Sequence, residues 1–149
     1  MNFFSRIKES LFGSNEPKPQ EENEFDLEKF IYIKLPGNIG PLDRGELFED
    51  QIDPVLEREG LGSVSGGGSS LGDEQPDGSR QVEFCGIDVD VTNCDRAREV
   101  LRDLLPKLNA PIGTELQFTK AGKKLQDRYN GATWTLEETR SALHPGFGV

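Results

Sequence analysis

The chain is poor in the side chains that usually carry metal or nucleophilic chemistry. It has one histidine, His144, and two cysteines, Cys85 and Cys94, among 149 residues. Two cysteines are too few for a disulfide framework, and these two lack the close spacing or the histidine neighbours of a zinc site. We therefore expect reduced thiols, no bound metal and no cofactor.

The same scarcity argues against an enzyme. A Ser-His-Asp or Cys-His set would have only His144 as its base, in a segment with little to hold it in place. We expect Cys85 to be a small core residue. Cys94 precedes a predicted helix, where a thiol can have a lowered pKa, but inert packing is the favoured interpretation. No catalytic residue is predicted.

Long apolar runs are also missing. No stretch approaches the roughly 20 residues that span a bilayer, and the start MNFFSRIKESLFG has neither the apolar region nor the cleavage site of a secretion signal. These absences favour a soluble, cytoplasmic protein.

Positive charge is under-represented. The 17 Lys and Arg against 27 Asp and Glu give a formal net charge of -10. A field of this sign repels nucleic acid and attracts a basic partner, although it is also common in ordinary soluble proteins.

The composition divides the chain into four parts. Residues 1–12 form a short amphipathic segment, which needs a surface to become ordered: its own domain, a partner groove or a membrane interface. Residues 13–26 are proline- and glutamate-rich and are predicted to be a disordered linker. Residues 27–136 should form one α+β domain, and residues 137–149 a loose tail.

The first half of the domain should contain two strands around a helix. FIYIKL, residues 30–35, is rich in β-branched and aromatic residues and indicates a strand. A helix is predicted over residues 43–59, with Asp43 as its cap and Pro54 as a kink. Its apolar positions are Leu47, Phe48, Ile52, Val55 and Leu56. The glycine- and serine-rich residues 63–72 then suit a second strand.

The second half of the domain repeats the pattern. Residues 81–91 indicate a third strand, in which apolar parity changes at Cys85 and Gly86 and predicts a β-bulge there. Thr92 or Asn93 can cap the next helix, whose apolar stripe comprises Ala97, Val100, Leu101, Leu104, Leu105 and Leu108. TELQF supplies a fourth strand with Leu116 and Phe118 inward, and Asn130-Gly131 predicts a hairpin.

The order strand, helix, strand, strand, helix, strand predicts a ferredoxin-like split βαβ sandwich (βαββαβ), extended by a C-terminal hairpin. Its sheet should be antiparallel, with both helices on one face.

Two short motifs bear on ligand binding. The GGG run lacks the lysine and the hydroxyl residue of a phosphate loop. We therefore interpret its glycines as residues that allow the strand to bulge or twist. Asp88 and Asp90 alternate on one strand face and Asp95 begins the next helix. We interpret them as a solvated face and a helix-end charge, since no calcium-loop pattern surrounds them.

GSVSGGGSSLG, VEFCGIDVDV and LLPKLNAPIGTELQF together resemble small bacterial proteins of unassigned role with a ferredoxin-like core. Some of these resemble immunity proteins encoded beside polymorphic toxins. The likeness covers residues 30–118. It implies the fold and a cytoplasmic binding role, and it transfers no catalytic residue.

We therefore predict a non-catalytic protein-binding module that neutralises a basic partner through an acidic surface. The alternatives are an adaptor held on a membrane surface or a larger assembly by its N-terminal segment, and a small-ligand-binding domain. The candidate partner-binding residues are Glu46, Glu49, Asp50, Asp53, Glu57, Glu59, Asp73, Glu74 and Asp77. The alternative is that these side chains only face solvent.

Overall fold

The computed structural model describes residues 26–140, which form an α+β structure around one six-stranded antiparallel sheet. The strands are β1 (Phe30–Pro36), β2 (Gly62–Leu71), β3 (Val82–Val91), β4 (Glu115–Lys120), β5 (Lys123–Tyr129) and β6 (Trp134–Thr139). Their order across the sheet is β2-β3-β1-β4-β5-β6. The expected amphipathic segment, most of the linker and residues 141–149 lie outside the described residues.

Two helical segments pack against one face of this sheet. The first consists of a short α1 (Pro41–Asp43), a π-helical stretch (Arg44–Glu49) and α2 (Asp50–Arg58), and the second is α3 (Cys94–Lys107). A 3-10 turn, Leu27–Lys29, precedes β1. In the described part of the chain, no helix has the length and apolar character required to cross a membrane.

Both helices share one core, because strand side chains alternate between the two faces. Ile31, Ile33 and Leu35 of β1 are fully buried on the helix side. Ile52 and Leu56 of α2 belong to the same cluster, as do Ala97, Leu101 and Leu105 of α3 and the predicted inward pair of β4, Leu116 and Phe118. The expected placement of both helices on a single face is confirmed.

The prediction for the start of the first helix was wrong. The helix begins at Pro41 after the N-cap Gly40, and Asp43 is not a cap. The backbone N–H of Asp50 then donates to the carbonyl of Gly45, five residues back, as in a π-helix. This wider turn changes which side chains face the core, and Leu47 is 54% exposed instead of buried.

The predicted bulge at Cys85 and Gly86 was also wrong. Both residues pair in regular register with β1, opposite Leu35 and Lys34. The register shifts lie between β2 and β3, where Ser65 and Glu83 are the extra residues. Phe84 therefore stays on the face opposite the helices.

The remaining elements follow the sequence pattern. Asn93 caps α3 by accepting the backbone N–H of Arg96 at 3.0 Å. The hairpin at Asn130-Gly131 joins β5 to β6, with Tyr129 opposite Trp134. β6 continues to Thr139, past residue 136 where the sequence suggested that the domain ends.

Candidate partner-binding surface

The first helical segment carries a surface that is acidic and contains exposed leucines. Glu46, Asp50 and Glu57 are exposed on it. Leu42 is 71% exposed and Leu47 is 54% exposed. Leu42 belongs to α1, and Leu47 belongs to the π-helical stretch that follows it. Side-chain carboxylates thus accompany two exposed leucines on the first helical segment.

Three of the predicted contact residues on this segment have partners within the protein instead. Glu49 is paired with Arg44, whose Nε lies 2.7 Å from Glu49 Oε2. Asp53 Oδ1 accepts the backbone N–H of Val64 in β2 at 2.8 Å. Glu59 lies 3.8 Å from Arg96 in an exposed ion pair, a type that contributes little to stability. Glu46, Asp50 and Glu57 are therefore the clearest candidates for a contact through this helix.

The other three candidates occupy a different element. Asp73, Glu74 and Asp77 are exposed in the loop between β2 and β3. Asp77 accepts hydrogen bonds from the hydroxyl and the backbone N–H of Ser79, at 2.6 and 2.9 Å. Both hydrogen bonds lower the pKa of the Asp77 carboxyl below its usual value, and the bond from the hydroxyl has the larger effect. Asp77 thus remains charged while it shapes the turn.

Neither cysteine is placed for nucleophilic chemistry. Burial raises the pKa of the Cys94 thiol to about 11, and the nearby guanidinium of Arg98 only partly opposes this effect. Cys85 is fully buried, and desolvation raises its pKa as well. The lowered pKa considered for Cys94 is thus replaced by a shift in the opposite direction. His144 lies outside the described residues.

Metal-ligating groups do not converge within residues 26–140, where no cluster of three or more His, Cys, Asp or Glu suited to a metal is found. Asp95 instead pairs with Arg98, with 2.9 Å between Asp95 Oδ1 and Arg98 Nη1.

A buried ion pair between α3 and β5 was not predicted from the sequence. Arg98 donates to both carboxylate oxygens of Asp127 at 2.8 Å, and Arg102 adds a third contact at 2.9 Å. Asp127 also accepts the backbone N–H of Glu137 in β6. Arg98 Cζ lies 3.9 Å from the ring centroid of Phe118. This group fastens the hairpin to the helix.

A signal for this pair was present in the sequence. Arg98 follows Ala97 and precedes Leu101 by three residues, so it falls on the apolar stripe of α3. A charge at such a position needs a buried counter-charge. Nothing in the sequence alone identified Asp127 as that partner, because the two residues lie on elements whose packing depends on the whole sheet.

Comparison with known proteins gives no relative: no protein-family model, curated protein or solved structure matches this chain.

Proposed function

We propose that the protein is a non-catalytic binding module that recognises a basic protein through the outer side of its first helical segment. The observation that carries this proposal is the pairing of exposed Leu42 and Leu47 with exposed Glu46, Asp50 and Glu57. Protein interfaces usually combine an apolar core with a polar rim. The net charge of -10 favours a basic partner through steering.

Neutralisation of a toxin, as by an immunity protein, is the form of binding that the sequence resemblance suggests. Occlusion of a basic active site needs only a complementary surface and no chemistry from the binder. The acidic helix meets that requirement.

We also propose that β1 to β4 and the two helical segments constitute a ferredoxin-like unit. The neighbour order β2-β3-β1-β4 within the sheet, with both helices on one face, supports this proposal. The hairpin β5-β6 then extends the sheet beyond β4 and leaves the first helical segment beside β2.

The test uses charge reversal at the three exposed carboxylates. Glu46, Asp50 and Glu57 are changed together to Lys, and the control changes Glu83, Asp90 and Asp103, also exposed, to Lys. Both variants have the same net charge. A basic protein captured from the source cells and then purified should associate more slowly with the helix variant than with the control variant. Its association rate with the helix variant should also depend less on salt than its rates with the control and the wild-type chain.

Equal association of the two variants would remove the helix from the interface. The leucines are tested separately by Leu42→Ser with Leu47→Ser, which should increase the dissociation rate more than the association rate. Repeating the capture with a chain that begins at Glu24 tests the adaptor alternative, which requires the N-terminal segment.

A further inference from the structure

A cleft with a volume of about 310 Å³ opens on the sheet face opposite the helices. Tyr32, Phe84 and Asp88 form its walls, and the backbone of β2 from Gly67 to Ser70 forms its rim. None of the nine predicted contact residues lines it. It lies on the other face of β2 from the Arg44–Glu49 pair, so it is separate from the helix surface.

Glycines create the space. Gly68 pairs with Gly86 across β2 and β3. A Cβ on Gly86 would overlap the Tyr32 ring, so the missing side chain lets this ring lie across the strand. A Cβ on Gly68 would meet nothing within 4 Å, so the volume above it is open. The β2 backbone at Gly68 is therefore bare beside the aromatic wall, whereas Gly86 lies beneath the Tyr32 ring.

The polar chemistry of the cleft calls for a hydrogen-bond donor. Asp88 Oδ1 is shielded from solvent and accepts no hydrogen bond in the described structure. Buried carboxylate oxygens are normally paired, and donors that carry positive charge pair with them most strongly. Burial, and secondly the charge of Asp88, raise the pKa of Tyr32 to about 12, so its hydroxyl stays protonated at neutral pH.

The aromatic wall already attracts a cation. The ammonium group of Lys34 lies 4.4 Å from the centroid of the Phe84 ring. Cation–π attraction therefore operates on this face of the sheet. The Asp88 carboxylate lies two residues beyond Gly86 on the same face of β3 as Phe84.

We propose that this cleft binds the guanidinium group of an arginine side chain. A guanidinium is planar, so it can lie flat against the bare β2 backbone beside the aromatic wall, and its N–H fork matches the Asp88 carboxylate. An ammonium would supply charge without this fit. A neutral amide would satisfy Asp88 Oδ1 without cation–π attraction.

The test is a titration of the ¹⁵N-labelled full chain followed by backbone amide shifts. The probes are N-acetyl-arginine amide, its citrulline counterpart, which is uncharged and of the same shape, and N-acetyl-lysine amide. We expect saturable shifts centred on Gly67, Gly68 and Ser70 with the arginine probe, and affinity at least about tenfold weaker with the other two.

Two variants locate the site. Asp88→Asn should weaken binding of the arginine probe about tenfold, whereas Asp90→Asn, on the same strand and face, should leave it unchanged. Gly68→Val should abolish binding by filling the cleft. Because β-branched residues are favourable in strands, we expect this variant to keep β2 intact. If Gly68→Val does not fold, comparison of Asp88→Asn with Asp90→Asn still tests whether the arginine probe binds in this cleft.

The source of the guanidinium is tested by a Gly-Arg-Gly peptide with blocked ends. Tighter binding of the peptide than of the single residue identifies a chain-borne arginine, and equal affinity identifies a free guanidino compound. Absence of saturable shifts with both, equal shifts with the citrulline probe, or unchanged affinity in Asp88→Asn would overturn the proposal.

Discussion

The buried pair of Arg98 and Asp127 fixes how α3 and β5 pack together. Their side chains are 4% and 0% exposed, and two parallel hydrogen bonds join them. An Arg–carboxylate pair of this geometry holds two elements in a fixed orientation. Removing one partner leaves an uncompensated buried charge. The remaining charge must then become hydrated or the protein unfolds.

We predict that Asp127→Leu lowers the free energy of unfolding by about 3 to 5 kcal/mol. Asp95→Leu, at the exposed partner of the same arginine, should cost less than about 1 kcal/mol, because solvent screens that pair. Urea unfolding of both variants gives the comparison. Arg98→Leu combined with Asp127→Leu should recover much of the loss, and a double variant as unstable as Asp127→Leu would contradict this account.

The candidate contact residues illustrate what a sequence can reveal at the residue scale. Exposed carboxylates such as Glu46 and Glu57 follow from helical spacing. The partners of Glu49 and Asp53 do not, because Arg44 depends on the π-helical turn and Val64 on the position of β2. Residue-level roles that depend on tertiary neighbours could not be predicted.

At the scale of elements, the first helical segment departs most from its pattern. Its apolar residues were read with the period of an α-helix, whereas the stretch Arg44–Glu49 has the wider period of a π-helix. The same stretch of sequence therefore buries Phe48 and exposes Leu47. By contrast, α3 and β4 have regular spacing, which predicted their buried apolar residues but not the buried Arg98.

Neighbouring residues test this assignment. Phe48→Ala should lower the free energy of unfolding by about 3 to 5 kcal/mol, because it leaves a cavity in the core. Leu47→Ala should change it by no more than about 0.5 kcal/mol, since that side chain is largely in solvent. Thermal unfolding of the two single variants measures both. A large loss at Leu47 would place it in the core and remove it from the proposed interface.

At the scale of the whole molecule, the sheet has two parts. The order of elements in the sequence predicted the arrangement of β1 to β4, but it did not predict where the hairpin β5-β6 lies. The strand–helix order favours the arrangement of β1 to β4, and Asn130-Gly131 predicts the hairpin. Nothing local in the sequence places that hairpin beside β4, or ties it to α3 through the indole N–H of Trp134, which donates to the Arg102 carbonyl at 3.1 Å. Such packing depends on long-range contacts.

A chain that ends at Gly122 tests the importance of the hairpin. It retains four strands and both helical segments, but it lacks Asp127. We predict that its amide spectrum shows the narrow dispersion of an unfolded chain, because Arg98 would be buried without a counter-charge. Adding Arg98→Leu to the shortened chain should restore part of the dispersion. Cooperative folding of the shortened chain with Arg98 intact would show that the hairpin is dispensable.

The buried pair also has a consequence for biosynthesis. Asp127 follows Arg98 by 29 residues, so the ribosome adds the acidic partner later than the basic one. At 5 to 20 residues per second, the interval is about one to six seconds. During this time Asp95 is already present but exposed, so α3 cannot settle on the sheet without burying the Arg98 guanidinium in the absence of its buried counter-charge. Completion of the native core is thus delayed until β5 has left the exit tunnel, so the nascent chain should acquire protease resistance late and in a single step.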